Sequence, residues 1–181
     1  MVYLFLADGF EEIEALVPLD LLRRAGIKVK TVGIGSATPT GSHKLTVMSE
    51  ISEETFFPDN DIEAILLPGG SVGAANLENS DTVKQAIRLA SDKDITVAAI
   101  CAAPAILARA GLLNNKKATV YPSLKNELGD SYADEEIVYD APFLTAKAAG
   151  VTESFALKLI EIIKGKKASE KVASDIYYKA K

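Results

Sequence analysis

Ile95-Thr-Val-Ala-Ala-Ile-Cys101-Ala-Ala-Pro104-Ala-Ile-Leu107 is the stretch whose reading decides the fold. It opens as a short apolar run with β-branched residues. At Cys101 it changes to Ala-rich helical sequence, with Pro104 just inside the start. The pattern reads as a buried strand, a sharp turn and a helix. Cys101 is the only cysteine and sits at the turn. A thiol there faces the positive end of a helix dipole, which favours thiolate. The layout is a cysteine version of the nucleophile elbow. A small, inert, buried core cysteine is the competing reading of the same residues.

Upstream, the same strand-then-turn pattern recurs twice. Val2 to Leu6 is an apolar run of the kind buried on both faces of a parallel sheet, broken by Asp8-Gly9. A helix is predicted from about Glu11 to Ala25, ended by Gly26 and bent at Pro18. Glu11, Glu12 and Glu14 fall in its first turn, where carboxylates favour the dipole. Lys28 to Gly33 reads as a second strand, completing a βαβ unit. Ala64-Ile-Leu-Leu67 is the next buried strand and runs into Pro68-Gly69-Gly70. Two glycines there put bare backbone N–H groups at the carboxyl edge of the sheet, where open α/β folds bind ligands. A tight turn without a ligand is the alternative.

The remaining elements are short. Ser36–Ser42 reads as loop, Leu45–Met48 as a short strand or hairpin arm, Glu53–Asp61 as turn and Ser71–Ala75 as a small-residue segment. Ser80 caps a helix to Lys93. Ala118–Tyr121 reads as a strand ended by Pro122, then Ser123–Leu128 as a helical turn. Ile137–Tyr139 and Phe143–Ala146 read as strands. Thr152 caps a helix to Ile163, stopped by Gly165, and Lys167–Tyr178 forms a last helix. The Lys164–Lys171 charges read as a solvated face. The alternation predicts one domain over residues 1–181: an α/β three-layer sandwich with a largely parallel sheet and helices on both faces.

A length of 181 residues suffices to bury a core without staples. The apolar runs are too short to span a bilayer, and Met1 to Ala7 lacks the basic region of a signal peptide. A lone cysteine excludes an internal disulfide and suits a reducing cytoplasm. The net charge of −5 argues against nucleic acid as the main ligand. His43 is the only histidine, which excludes a multi-histidine metal site. No dinucleotide or P-loop fingerprint is present. Neither metal nor cofactor is expected.

Five segments together resemble the ThiJ/PfpI superfamily, in particular its DJ-one branch, named for the parkinsonism-associated protein. They are Ala7-Asp-Gly-Phe-Glu-Glu-Ile-Glu14 with Pro18-Leu-Asp20, Arg23-Arg-Ala-Gly-Ile-Lys-Val29, Leu67-Pro-Gly-Gly70, Gly73-Ala-Ala-Asn-Leu77 and Ala98-Ala-Ile-Cys-Ala-Ala-Pro104. The resemblance covers nearly the whole chain. It implies a flavodoxin-like fold and a homodimer. It implies that Cys101 is the reactive cysteine, that Glu14 is the acid bonded to its sulfur, and that the N–H groups of Gly70 and Ala102 form an oxyanion pocket. It implies a cysteine-dependent glyoxalase or deglycase acting on α-oxoaldehydes such as methylglyoxal and glyoxal, or on their adducts. An oxidative-stress sensor or chaperone without efficient turnover is the alternative.

Two departures from the family pattern stand out. Where the family often has a histidine near the cysteine, this chain has Tyr121, a hydrogen-bond donor but a poor base near neutrality. A Cys-His dyad cannot be built there, which argues against a protease. Ala148-Ala149-Gly150 replaces the usual Gly-Pro-Gly and bears on the pocket wall. His43 and Arg24 match positions near the interface pocket; an exposed loop histidine and a solvated helix-end charge are their alternatives.

Overall fold

The computed structural model describes residues 1–58 and 61–179. Its strands are β1 (Val2–Ala7), β2 (Val29–Ile34), β3 (Ile51–Ser52), β4 (Ala64–Leu67), β5 (Thr96–Ile100), β6 (Ile137–Asp140) and β7 (Phe143–Ala146). They form one sheet in the order β3-β2-β1-β4-β5-β7-β6, parallel throughout except for the β6–β7 pair. The order of the chain reverses between β1 and β4. A crevice opens at such a point, outside the carboxyl ends of the strands.

The helices are α1 (Glu12–Arg24), α2 (Ser71–Asn79), α3 (Asp81–Asp92), α4 (Pro104–Arg109), α5 (Lys125–Leu128), α6 (Thr152–Lys164) and α7 (Lys166–Asp175). Alternation along each strand divides the interior in two. Tyr3, Phe5 and Ala7 of β1 pack with residues of α2, α3 and α4. Val2, Leu4 and Leu6 pack with residues of α1, α6 and α7. That is the expected three-layer α/β sandwich. Phe56 packs edge-on against Tyr3 and Phe5, with ring centroids 5.0 and 5.1 Å away.

Several local expectations are corrected. Ser71–Ala75 is the first half of helix α2. Of the two readings of Leu45–Met48 the hairpin arm holds and the strand does not: within it Thr46 makes one antiparallel bridge to Thr40. Ala118–Tyr121 makes one bridge, Ala118 to Tyr132, because the Thr119 N–H turns to the Thr145 hydroxyl at 2.9 Å. Thr152 is the first helical residue and not the cap; its hydroxyl donates to the Ala149 carbonyl at 2.8 Å. The turn predicted over Glu53–Asp61 begins with a 3-10 turn, Glu53–Thr55, and its residues 59–60 lie outside the described residues. Ser80 does cap α3, accepting from the Val83 N–H at 3.2 Å. Among the described residues no helix is long and apolar enough to cross a membrane.

Candidate active site

The switch from β5 to α4 places Cys101 in the left-handed region, at φ 62°. For a side chain with a Cβ this conformation costs about 1–3 kcal/mol and persists only when the surroundings fix it. Three backbone bonds do so. The Cys101 N–H donates to Ala146 at 2.9 Å, the Cys101 carbonyl accepts from Tyr121 at 2.8 Å, and Ala103 closes the turn onto Ile100 at 3.1 Å. Pro104 occupies the first turn of α4, where its missing N–H costs nothing.

Glu14 comes to this elbow from the first turn of α1, at the same carboxyl edge of the sheet. It lies on the buried face of α1 with Ala15, Pro18, Leu21 and Leu22, and is 1% exposed. Its carboxyl accepts the Gly69 N–H at 2.9 Å through Oε2 and is hydrogen-bonded to the Cys101 side chain. A Cβ at residue 69 would stand 2.6 Å from both the Cys101 Cβ and Glu14 Oε2. Glycine is therefore required for the two side chains to meet. The N–H groups of Gly70 and Ala102 donate to the Cys101 sulfur. Gly70 is left-handed at φ 88°, and a Cβ there would run into the backbone of residues 9–11.

Proton affinities at the pair follow from burial. Burial pushes Glu14 up to about 7, against the hydrogen bonds from Cys101 and Gly69. Burial, then the Glu14 charge and its hydrogen bond, push the Cys101 thiol up to about 12; the two N–H groups pull it down. The thiolate expected from the helix dipole alone is thus corrected. Helix α4 has six residues, and burial beside a carboxylate outweighs its dipole. A proton on Glu14 removes the opposing charge, so the thiol is acidified when its neighbour is neutral.

Cys101 opens onto a cleft of about 930 Å³, while Glu14 and Gly69 lie behind it and do not line it. Cys101, Gly70, Ala102, Tyr121 and His43 all line it; Arg24 and residues 148–150 do not. Arg24 binds Asp20 one helical turn back at 2.6 Å. Residues 149–151 form a 3-10 turn into α6, so the Ala-Ala-Gly departure does not shape this wall. His43 is tied to its own chain. Its Nδ1 lies 2.9 Å from Glu12 Oε2 and 3.7 Å from Glu11 Oε1, and its N–H donates to Glu12 at 2.7 Å. The Glu12 hydrogen bond raises the imidazole pKa. Burial alone would raise Glu12, but the bonds from His43 and Ser42 bring it to about 2. Glu11, Glu12 and His43 are also the three described residues whose ligand-type atoms lie within 4.8 Å of one another. These atoms hold each other and Ser42.

Sequence reading missed the opposite wall. Arg109 at the end of α4 bridges Glu78 of α2 at 2.6 Å and Glu127 of α5 at 3.1 Å. Partners so far apart in the chain leave no local signal.

A left-handed cysteine at a strand-to-helix elbow, a buried acid against its sulfur and two N–H donors on it define an α/β protein with a cysteine–carboxylic acid site. The chain belongs to the DJ-1/PfpI family, whose model matches residues 1–162. It is 34% identical over 175 residues to protein dj-1beta of Drosophila melanogaster, covering 94% of this chain and 93% of that one. It is 29% identical over 166 residues to a deglycase of Pyrococcus abyssi, covering 90% and 99%. The crystal structure of Drosophila melanogaster DJ-1beta superposes with a TM-score of 0.94 at 32% identity, covering 99% and 98%. The solved structure of Toxoplasma gondii DJ-1, oxidized, gives 0.92 at 28% over the same shares.

Proposed function

We propose that the protein converts α-oxoaldehydes, free or as adducts, to hydroxy acids by covalent catalysis at Cys101, with Glu14 as the acid and base. The observation that carries this reading is the Glu14–Cys101 hydrogen bond beneath an open cleft. The deglycase of Pyrococcus abyssi supports the substrate class.

The chemistry begins with transfer of the thiol proton to Glu14. The thiolate adds to the aldehyde carbon, and the carbonyl pair moves to oxygen. The Gly70 and Ala102 N–H groups stabilise that oxyanion. Glu14 returns the proton, giving a hemithioacetal. Glu14, again a carboxylate, removes the carbon-bound hydrogen; its bonding pair becomes a C=C bond and the ketone pair moves to oxygen. Protonation of the former ketone carbon by Glu14 gives a thioester, with the hydroxyl proton passed to the other oxygen. Water hydrolyses the thioester and frees the thiol. Methylglyoxal plus water becomes lactate. A carboxyl held near 7 can give and take protons in turn.

The test is lactate formation from methylglyoxal by the wild type and Cys101→Ser. The reading requires loss of turnover in the variant; equal rates would refute it.

A second reading, an oxidation sensor, is favoured by the partial exposure of Cys101. Donors surround its sulfur, and they would hold sulfinate oxygens. A related structure is described as oxidized. We place the protein in the reducing cytoplasm as a homodimer. Ile13 on α1 and Leu45 and Met48 on the adjoining segment are the exposed apolar residues that a second copy would cover, which sedimentation would check.

A further inference from the structure

We propose that the Tyr121 hydroxyl is a catalytic hydrogen-bond donor to the ketone oxygen of the α-oxoaldehyde. This inference rests on the reading above and deepens it. An α-oxoaldehyde carries two adjacent oxygens, and the isomerisation puts negative charge on each in turn. The Gly70 and Ala102 N–H groups converge on the sulfur and serve the oxygen of the attacked carbon. The neighbouring oxygen needs a donor of its own when the C–H pair is displaced toward it.

The side chains along the cleft narrow the choice. Ser42 and His43 are bonded to Glu11 and Glu12, and Thr40 to Thr46. Arg109 is held between Glu78 and Glu127. The Lys44, Ser71, Ser123 and Tyr121 side chains also line the cleft and have no partner among the described residues. Of these four, only Tyr121 has its backbone bonded to the cysteine itself, its N–H donating to the Cys101 carbonyl at 2.8 Å. The 3-10 turn starting at Pro122 holds the residue from the other side. Tyr121 is 45% exposed. In the step, the phenol keeps its proton. It stabilises the enediolate while Glu14 carries the hydrogen from one carbon to the next.

The experiment compares wild type, Tyr121→Phe, Ser71→Ala and Cys101→Ser in methylglyoxal turnover. The alkylation rate of Cys101 by iodoacetamide is measured in parallel. Tyr121→Phe should lower kcat by roughly tenfold to a hundredfold. Its KM should change little, its alkylation rate should stay at the wild-type value, and Ser71→Ala should turn over normally. Wild-type kcat in Tyr121→Phe with a dead Cys101→Ser would overturn the assignment and leave the reading of the site intact. So would equal slowing of turnover and alkylation in Tyr121→Phe, or a fall confined to Ser71→Ala. Full turnover in Cys101→Ser would overturn both.

Discussion

The Glu14 carboxyl and the Cys101 thiol are hydrogen-bonded to each other at the carboxyl edge of the sheet, one from the buried face of α1 and one from a left-handed elbow after β5. Burial raises the proton affinity of both, and each group then shifts the other's. The ionised acid opposes the thiolate and the neutral acid permits it.

The Gly69→Ala substitution should separate the pair. Its Cβ would press on the Cys101 Cβ and Glu14 Oε2 at 2.6 Å and on the Ile100 carbonyl oxygen at 3.0 Å. The expected cost is roughly 1–3 kcal/mol of stability, as for overpacking. Turnover should fall at least about tenfold in the folded fraction, since a near-ångström displacement of a reacting group is costly. Denaturant unfolding and methylglyoxal kinetics check the two effects.

Burial of Glu14 predicts a pH-dependent stability with a definite sign. Its folded value near 7 lies above the unfolded carboxyl value, so the native state binds more protons between the two. Stability must then fall as pH rises from about 4.5 to 7. Glu14→Gln removes this contribution. Urea unfolding at pH 5 and pH 8 should show a smaller drop in the variant than in the wild type. Equal drops would mean that Glu14 is not the buried acid described.

Peroxide should oxidise Cys101 by two oxygens, detected by intact mass. The neutral Glu14 carboxyl and the two N–H groups would bind the sulfinate oxygens. Glu14→Leu should accumulate much less of this product. An unmodified Cys101, under conditions that oxidise a free thiol, would count against the sensor reading.

Much of this site is legible in the chain itself. The change at Cys101 from β-branched to Ala-rich sequence marks the elbow, and Gly69-Gly70 marks the N–H donors. Three glutamates in one helical turn look alike in composition. What separates Glu14 is its phase with Pro18, Leu21 and Leu22 on the apolar face, and only packing shows that this face reaches Cys101. Helix α2 escaped notice because Ser71-Val-Gly-Ala-Ala75 has no apolar stripe to betray a helix. β3 is two residues long and is set by its pairing with β2. The His43–Glu12 bond and the Arg109 bridges join distant segments, so no local spacing announces them.

The shared proton is tested most directly by the pH dependence of Cys101 alkylation in the wild type and Glu14→Gln. In the wild type, ionisation of Glu14 near pH 7 should hold back the thiolate, and the rate should lag through pH 8 to 9. Glu14→Gln lacks that charge and should react about tenfold faster or more in the same range. Superimposable profiles would contradict the coupling of Glu14 to Cys101 on which the account rests.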